Sequence, residues 1–275
     1  MKKILVPTDF SNLSLLALDA AVEIASQSNA EILLFHSQAL HYLISSDPFP
    51  VTMLPNVDLD LYKYELDEAT KKLNNIAEAP IYNGVKITPV LSDSYTPIED
   101  VIAEKSFEVD LIVMGSAGAD GWKELFSRSN AESVIRNAHC PVLIVKESDK
   151  KFKMKRVMIA VDFETRINPN FITKLLNTKT KITFVYINTP DGFEDSHTTT
   201  SKMYKLADEL GIKEVDFLIY NYYGIAKGII ACAKDLKSDM IVLTTNSRKG
   251  LSLLFAGSVT EDVANHSEIP VLALV

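Results

Sequence analysis

The sequence has little cysteine, no long apolar run and no excess of positive charge, and each absence excludes a class of protein. Its two cysteines, Cys140 and Cys232, cannot form the disulfide framework of a small secreted scaffold. No stretch approaches the roughly 18 apolar residues that a membrane-spanning helix requires. The first apolar run ends at Val6, where Pro-Thr-Asp follows, and is too short for the core of a signal peptide. We therefore expect a cytoplasmic protein with two core-packed thiols.

The charge balance argues against a nucleic-acid surface. Lysine and arginine number 28 against 36 aspartates and glutamates, a net charge of −8, whereas nucleic-acid-binding domains are usually basic. Apolar residues make up 47% of the chain and charged residues 23%, as in folded globular proteins. We expect a small ligand and a protein partner, without nucleic acid or membrane.

Several catalytic motifs are also missing. There is no G-x-x-x-x-G-K-S/T loop, no G-x-G-x-x-G at the start of a helix and no G-x-S-x-G elbow. His36 and His41 lie close in sequence, but no cysteine or pair of acids completes a metal-binding set. The sequence therefore predicts no catalytic residue and no metal ligand.

What the sequence does contain is a repeat. Residues 110–145 align without a gap with residues 239–274, and twelve of the 36 positions are identical, where chance would give roughly two or three. The chain start KKILVPTDF (2–10) also aligns with KRVMIAVDF (155–163). We predict two domains, 1–147 and 152–275, joined near the charged segment KESDKKFK (146–153). The first is longer, mostly through the Pro-rich insertion 41–58.

Each repeat alternates strand patterns with helical ones. Near-continuous apolar runs predict strands that are covered on both faces, at 3–7, 31–37, 85–91, 110–115, 141–145, 156–161, 182–188, 214–220, 239–244 and 270–275. Between them, apolar residues recur every three or four positions, most clearly from Leu59 to Ile76. This alternation predicts an α/β fold with parallel strands and helices on both faces, in which ligands bind beyond the carboxyl ends of the strands.

Candidate ligand-binding residues follow two strands of the first repeat. Thr8 and Asp9 come at the end of the first strand, and Gly115 and Gly118 at the end of the fourth. Glycines allow a ligand to approach the backbone amides closely, and a carboxylate accepts hydrogen bonds from a ribose or an adenine amine. Each feature also has a purely structural explanation, because Asp is a common N-cap and Gly permits tight turns.

A helix is predicted just after this glycine loop. Ser129 has the sequence pattern of an N-cap, with Glu132 completing a capping box for a helix from Asn130 to Ala138. Free amides at a helix start beside a glycine loop are typical of a phosphate site.

These residues resemble the universal stress protein family in its two-domain form, over nearly the whole chain. Nucleotide-binding members of that family carry an Asp at a strand end and a loop of the pattern G-x-x-G-x9-G-S/T. The matching positions are Asp9, Gly115, Gly118 and Ser129 in the first repeat and Asp162, Gly257 and Ser258 in the second. Arg128 replaces the third glycine of the first repeat, and Thr244 and Ser247 replace the first two glycines of the second.

The resemblance implies two Rossmann-like domains of the flavodoxin or adenine nucleotide alpha hydrolase type, each with a five-stranded parallel sheet in the order 3-2-1-4-5. It implies that domains pair through their last strands, either within one chain or with a second copy in a homodimer. It also implies ATP or another adenine nucleotide, with Mg, as the ligand. The residues expected to hold it in the first domain are Thr8, Asp9, Gly115, Gly118, Arg128, Ser129 and Asn130.

The departures from the family pattern make the second site the weaker one. Thr244 is β-branched and poorly suited to a left-handed backbone. Arg128 would cost roughly 1–2 kcal/mol in such a conformation, although its guanidinium offers up to five donors to a phosphate. Three functions remain open: a stress-response protein that binds ATP or AMP in domain 1, a nucleotide-free scaffold, and a slow ATPase or self-phosphorylating protein using Ser129 or Ser258.

Overall fold

In the computed structural model of this protein, two runs of parallel strands join into one ten-stranded sheet. The structure describes residues 1–37, 59–92, 98–116, 128–147, 151–163, 167–176, 179–244 and 256–274, and only the backbone of residues 59, 98, 99, 128–130 and 256–258. The insertion 41–58 lies outside these ranges.

The ten strands agree with the predicted ones to within two residues at either end. They are β1 (Lys3–Pro7), β2 (Glu31–Ser37), β3 (Ile87–Ser92), β4 (Leu111–Gly115), β5 (Val142–Val145), β6 (Arg156–Ala160), β7 (Lys181–Asn188), β8 (Val215–Asn221), β9 (Met240–Thr244) and β10 (Val271–Leu274).

Eight α-helices are described between these strands. They are α1 (Asn12–Ser28), α2 (Leu59–Ala77), α3 (Ile98–Lys105), α4 (Arg128–Asn137), α5 (Pro169–Leu175), α6 (Ser196–Glu209), α7 (Ile225–Asp235) and α8 (Ala256–His266). Two short 3-10 helices, Pro80–Tyr82 and Pro190–Gly192, lie in connections.

The strand order confirms the order 3-2-1-4-5 for both halves. The sheet runs β3-β2-β1-β4-β5-β10-β9-β6-β7-β8. All pairs within a half are parallel, whereas β5 and β10 are antiparallel, with Leu143 opposite Leu272. The last strands therefore pair within one chain, which is the first of the two arrangements that the resemblance allowed.

Helices cover both faces of the sheet, as predicted. Helices α1, α2, α5 and α6 pack on one face, and α3, α4, α7 and α8 on the other. Strand residues alternate between the two cores, so that Ile4 and Val6 face the first and Leu5 the second. Both Cys140 and Cys232 are buried and unpaired, and burial raises the pKa of each thiol to about 12. The prediction that they pack in the core is confirmed.

The identical residues of the repeat make equivalent contacts in the two halves. Asp110, just before β4, accepts hydrogen bonds from the backbone N–H groups of Lys2 and Lys3 at 2.5 and 3.0 Å. Asp239, just before β9, accepts from the backbone N–H of Arg156 at 2.8 Å. Each carboxylate therefore fixes the start of the first strand of its own domain.

A pair of identical residues, Glu132 and Glu261, helps to join the two domains. Arg136 on α4 donates to Glu261 on α8 at 2.9 Å, and Asn265 on α8 donates to Glu132 on α4 at 2.5 Å. Positions 132 and 136 correspond to 261 and 265 in the repeat, so the two bonds are related by an approximate two-fold axis, as in a symmetric dimer interface. The repeat thus forms within one chain the self-complementary contact of a dimer.

Lys146, the first residue of the charged segment 146–153 that joins the two repeats, is buried in the structure. The side chain is 5% exposed, and its Nζ donates to the Ala264 carbonyl at the end of α8 in the other domain. Burial lowers the pKa of the Lys146 ammonium group from its ordinary value of 10.5 to about 8. The carbonyls of the last helical turn favour a cation, which explains the position of the amine.

Replacing Lys146 with methionine is expected to stabilise the protein at pH 7 and to lose that advantage in alkali. Between pH 8 and 10.5 the Lys146 amine has lost its proton in the folded protein but keeps it in the unfolded chain. The free energy of unfolding of the wild type therefore rises over this range relative to that of Lys146→Met. Urea unfolding at pH 7 and pH 10.5 should show the difference between the two proteins shrinking by about 2 kcal/mol. The same experiment with Lys213→Met, at an exposed position, should show no such change. A pH-independent effect at residue 146 would contradict the buried position of its charge.

Candidate functional site

The first strand of domain 1 ends in a tightly bonded turn at the carboxyl edge of the sheet. Thr8 is buried, and its Oγ1 lies 2.9 Å from the Ser14 hydroxyl and accepts from the Phe10 N–H at 3.0 Å. Asp9 is half-buried, and its Oδ1 accepts from the Ser11 N–H at 3.0 Å. Ser11, and not Asp9, is the N-cap of α1. The Asp9 carboxylate thus keeps its other oxygen for further contacts at this edge.

Phe10 adopts an unusual backbone conformation in this turn. Its φ is +66°, in the left-handed region that a bulky side chain rarely adopts. The same holds for Phe163, its counterpart in domain 2, at +62°. Such strain typically persists where the position of neighbouring groups matters for function. Here it sets the direction of the chain directly after Asp9 and Asp162.

His36 belongs to this edge as well, and sequence reasoning considered it only as a metal ligand. It is buried at the end of β2, with its ring nitrogen Nδ1 2.7 Å from the Thr8 carbonyl oxygen. Because a carbonyl only accepts, Nδ1 carries the proton. The imidazole packs against the Phe10 ring in a tilted arrangement, with centroids 4.4 Å apart. The sequence signal for this role was the position of His36 directly after the apolar run ILLF of the strand.

Two buried hydroxyls lie at the ends of the strands on either side of β1. Ser37 ends β2 and is 8% exposed, and Ser116 follows β4 and is 1% exposed. The Oγ atom of each is buried without a hydrogen-bond partner among the described residues. Strands β2 and β4 are the two neighbours of β1, so both serines lie at the same carboxyl edge of the sheet as Asp9, which follows β1. An unpaired buried hydroxyl is costly, so these two donors indicate a place for a ligand.

Gly115 has a packing role that the sequence did not predict, and its contact with a ligand stays a prediction. It is the last residue of β4, and a Cβ atom there would lie 2.6 Å from Leu13 Cγ and 2.9 Å from the Leu13 carbonyl oxygen. The glycine therefore lets α1 pack closely on the strand, and its own α-carbon faces protein. Its partner in the predicted loop, Gly118, lies outside the described residues.

The helix after the glycine loop begins earlier than predicted. Helix α4 starts at Arg128, two residues before Asn130, so Ser129 lies within the first turn and the prediction that it is the N-cap is wrong. Arg128 is helical, and the left-handed strain considered for this position does not arise. In domain 2, Gly257 and Ser258 likewise lie in the first turn of α8.

The equivalent edge of domain 2 differs in composition. Val161 replaces Thr8, Asp162 is exposed, and the Phe163 ring stacks on Tyr186 at 5.4 Å. A cavity of about 570 Å³ opens beside them, lined also by the Lys202–Glu194 ion pair. Thr244 is the counterpart of Gly115. The first helix of domain 2, α5, begins only at Pro169, so no helix start matching that of α1 requires a glycine at this position.

Within the described ranges no group of three or more His, Cys, Asp or Glu side chains is arranged to hold a metal ion. In the same ranges no helix combines the length and apolarity that crossing a bilayer would need.

The geometry of both halves matches a known family. The family model described as "Universal stress protein family" matches residues 1–146 and 154–274, which is nearly the whole described fold. The chain belongs to the universal stress protein family. Two tandem domains of that family account for the repeat, for the strand order and for the pairing of β5 with β10.

Relatives in the family align with about half of this chain. Universal stress protein MJ0531 of Methanocaldococcus jannaschii is 37% identical over 153 residues, which cover 54% of this chain and 85% of that protein. Universal stress protein YxiE of Bacillus subtilis is 32% identical over 145 residues, covering 52% and 98%. A solved universal stress protein from Archaeoglobus fulgidus covers 99% of this chain and 95% of its own, with a TM-score of 0.70 and 21% identity, and supports the two-domain fold.

Proposed function

We propose that this universal stress protein binds an adenine nucleotide, ATP or AMP, at the carboxyl edge of β1, β2 and β4 in domain 1, and that it acts as a cytosolic stress-response protein. The observation that carries the proposal is the pair of buried hydroxyls of Ser37 and Ser116, without partners among the described residues, at the ends of the strands on either side of β1. Their place, next to the reversal of strand order between β1 and β4, is where doubly wound sheets bind ligands.

The chemistry of the edge suits a nucleoside. A carboxylate accepts hydrogen bonds from ribose hydroxyls or from the adenine amine, and Asp9 is held in place by its bond to Ser11. The two serine hydroxyls both donate and accept, which suits the ribose and the ring nitrogens of a base. The packed rings of Phe10 and His36 add an apolar surface to the same edge.

The phosphates would lie toward the loop before α4. Helix α4 begins at Arg128, and because the first backbone amides of a helix have no partner within it, helix N-termini favour anions. Arg128, Ser129, Asn130 and Gly118 therefore remain the proposed phosphate contacts. Because the described residues provide no general base beyond Asp9 and no acidic cluster for a metal, hydrolysis should be slow and binding the main activity.

Domain 2 is proposed as the weaker site. It has Val161 in place of the Thr8 hydroxyl, and its carboxylate, Asp162, is exposed. The Lys202–Glu194 ion pair lines its cavity with charges of both signs, which offers a triphosphate no net attraction.

Calorimetric titration with MgATP tests the proposal. We expect Asp9→Ala to weaken binding by about 10- to 100-fold, since hydrogen bonds to a charged group contribute about 1.5–3 kcal/mol. Asp162→Ala, the matched change in domain 2, should leave the affinity unchanged, and Asp9→Asn should keep part of it because the amide oxygen still accepts from Ser11. Wild-type protein that gives no heat, or equal affinity in Asp9→Ala, would leave a nucleotide-free scaffold as the function.

A further inference from the structure

The two outermost strands of the sheet differ in the backbone groups that they present. Strand β3 ends the sheet in domain 1 and β8 ends it in domain 2, and no described strand pairs with the outer side of either. The carbonyl of Lys86, just before β3, accepts from the Ile32 N–H of β2. Because the backbone groups of successive strand residues point to opposite sides, the odd-numbered residues of β3 face outward. Pro89 is one of them, and it removes a donor from this edge.

Strand β8 keeps all its outward donors. The Tyr222 N–H, directly after β8, donates to the Asn188 carbonyl of β7 at 3.0 Å, so the even-numbered residues bond inward. The outward backbone groups belong to Val215, Phe217, Ile219 and Asn221. In the register of the two domains, Phe217 occupies the position that Pro89 has in β3. The proline that blunts one edge is therefore missing from the other.

The side chains of β8 are also unusual for a free edge. Four successive residues, Phe217 to Tyr220, are half-buried, and Asp216 is the only charged residue of the seven in the strand. Tyr204 on α6 packs edge-to-face on the Phe217 ring with centroids 4.6 Å apart, and is itself 63% exposed. Proteins usually protect a free edge with charges, a proline or a bulge, so an apolar edge with all its donors indicates that another strand pairs with it.

The sequence of β8 is complementary to a second copy of itself. In an antiparallel pair with Leu218 on the two-fold axis, Phe217 lies opposite the partner's Ile219, and Val215 lies opposite the partner's Asn221. Every outward residue then faces another outward residue, and each such pair exchanges two hydrogen bonds. Asp216 lies opposite the partner's Tyr220, so no like charges meet across the pair.

The two faces of β8 fit the same arrangement. Phe217 and Ile219 pack toward the helices α5 and α6, whereas Leu218 and Tyr220 pack toward α7. In the antiparallel pair, Phe217 would meet an isoleucine on its own face and Leu218 a leucine on the other. Aromatic and β-branched residues opposite each other are among the favourable cross-strand pairs. A second copy therefore satisfies the backbone, the charges and the apolar side chains of β8 together.

We infer that the chain forms a homodimer through antiparallel pairing of β8 with β8 of a second copy, which joins two ten-stranded sheets into one. Antiparallel pairing of β5 with β10 already joins the two domains within the chain in a similar way. The dimer is independent of the nucleotide binding proposed for domain 1, because β8 is at the opposite end of the sheet.

Sedimentation velocity of the full chain over a series of concentrations tests this inference. We expect the wild type to pass from monomer to dimer as concentration rises. Phe217→Pro gives β8 the outward proline of β3 and should weaken dimerisation by about 10- to 100-fold, since the dimer loses two backbone hydrogen bonds. Phe217→Ala is the matched control, because it removes the ring but keeps the N–H, and it should weaken dimerisation less.

Disulfide cross-linking tests the register and does not depend on the proline variant. Residues on the two-fold axis have α-carbons about 4.5 Å apart in a non-hydrogen-bonded pair, within the range of a disulfide. Leu218→Cys should therefore form a disulfide-linked dimer under mild oxidation. Asp216→Cys should not, because the two copies of that residue are four strand positions apart, roughly 13 Å. The native Cys140 and Cys232 are buried and should not compete.

A concentration-dependent dimer that is weakened more by Phe217→Pro than by Phe217→Ala, together with cross-linking at residue 218 and not at 216, supports the inference. A wild type that stays monomeric at its highest soluble concentration would overturn it and leave the edge to a strand of another protein. A dimer that Phe217→Pro weakens no more than Phe217→Ala, or equal cross-linking at residues 216 and 218, would also overturn it.

Discussion

Gly115→Ala is expected to destabilise the protein by about 2–3 kcal/mol, although it adds a single methyl group. The added Cβ would lie 2.9 Å from the Leu13 carbonyl oxygen, a backbone atom that moves only if α1 moves. Helix α1 packs its buried face on β1 and β4, so a shift of its first turn disturbs the core of domain 1. Urea unfolding of the variant measures the loss.

Gly224→Ala is the matched control for this change. Gly224 is the N-cap of α7, with extended backbone and no atom within 4 Å of an added Cβ. Its substitution should cost only about 0.5–1 kcal/mol, because Gly is favoured over Ala at an N-cap. Equal effects at positions 115 and 224 would show that α1 does not approach β4 as closely as described.

Removing the two orphan hydroxyls should change stability and binding in opposite directions. The variant Ser37→Ala/Ser116→Ala is expected to be more stable than the wild type by about 2 kcal/mol without ligand, because each buried hydroxyl forgoes its hydrogen bonds with water. The same variant should bind MgATP about 10- to 100-fold more weakly, through loss of two hydrogen bonds. Thermal unfolding and calorimetry measure the two effects.

Ser106→Ala provides the comparison. Ser106 is 2% exposed, but its hydroxyl is fully used, since it donates to the Ala103 carbonyl and accepts from the His139 N–H. Its loss should destabilise the protein by about 1 kcal/mol and leave nucleotide affinity unaltered. If the variant Ser37→Ala/Ser116→Ala is also destabilised, the two hydroxyls have hydrogen-bond partners in solution. They would then give no support for a ligand site.

The fold was predictable because its signals are local and repeated. Apolar runs such as ILV at residues 4–6 are typical of strands covered on both faces, and the structure buries all three side chains. Residues 239–274 repeat the pattern of residues 110–145, and this repeat predicted the two domains. The contacts between the domains were harder to predict from the sequence. Glu132 and Glu261 are identical because each binds a residue on the opposite helix, Asn265 and Arg136 respectively, and the repeat alone does not reveal these partners.

The site was predictable only in part, and the reasons are physical. Asp9 and Thr8 lie at the carboxyl edge as strand alternation requires. Gly115 was assigned to the ligand because its motif suggests a loop, whereas the need for a glycine comes from Leu13, about 100 residues away in sequence. The hydroxyls of Ser37 and Ser116 gave no signal, since only the folded structure shows that a serine is buried without a partner.

The most direct test of the central claim is a crystal structure of the protein grown with a non-hydrolysable ATP analogue. The account predicts electron density for the nucleoside at the end of β1 in domain 1, with ligand atoms within hydrogen-bonding distance of Asp9 and of the Ser37 or Ser116 hydroxyl. Density confined to domain 2, or an edge in which both hydroxyls bond to protein groups and leave no room for a nucleoside, would contradict it.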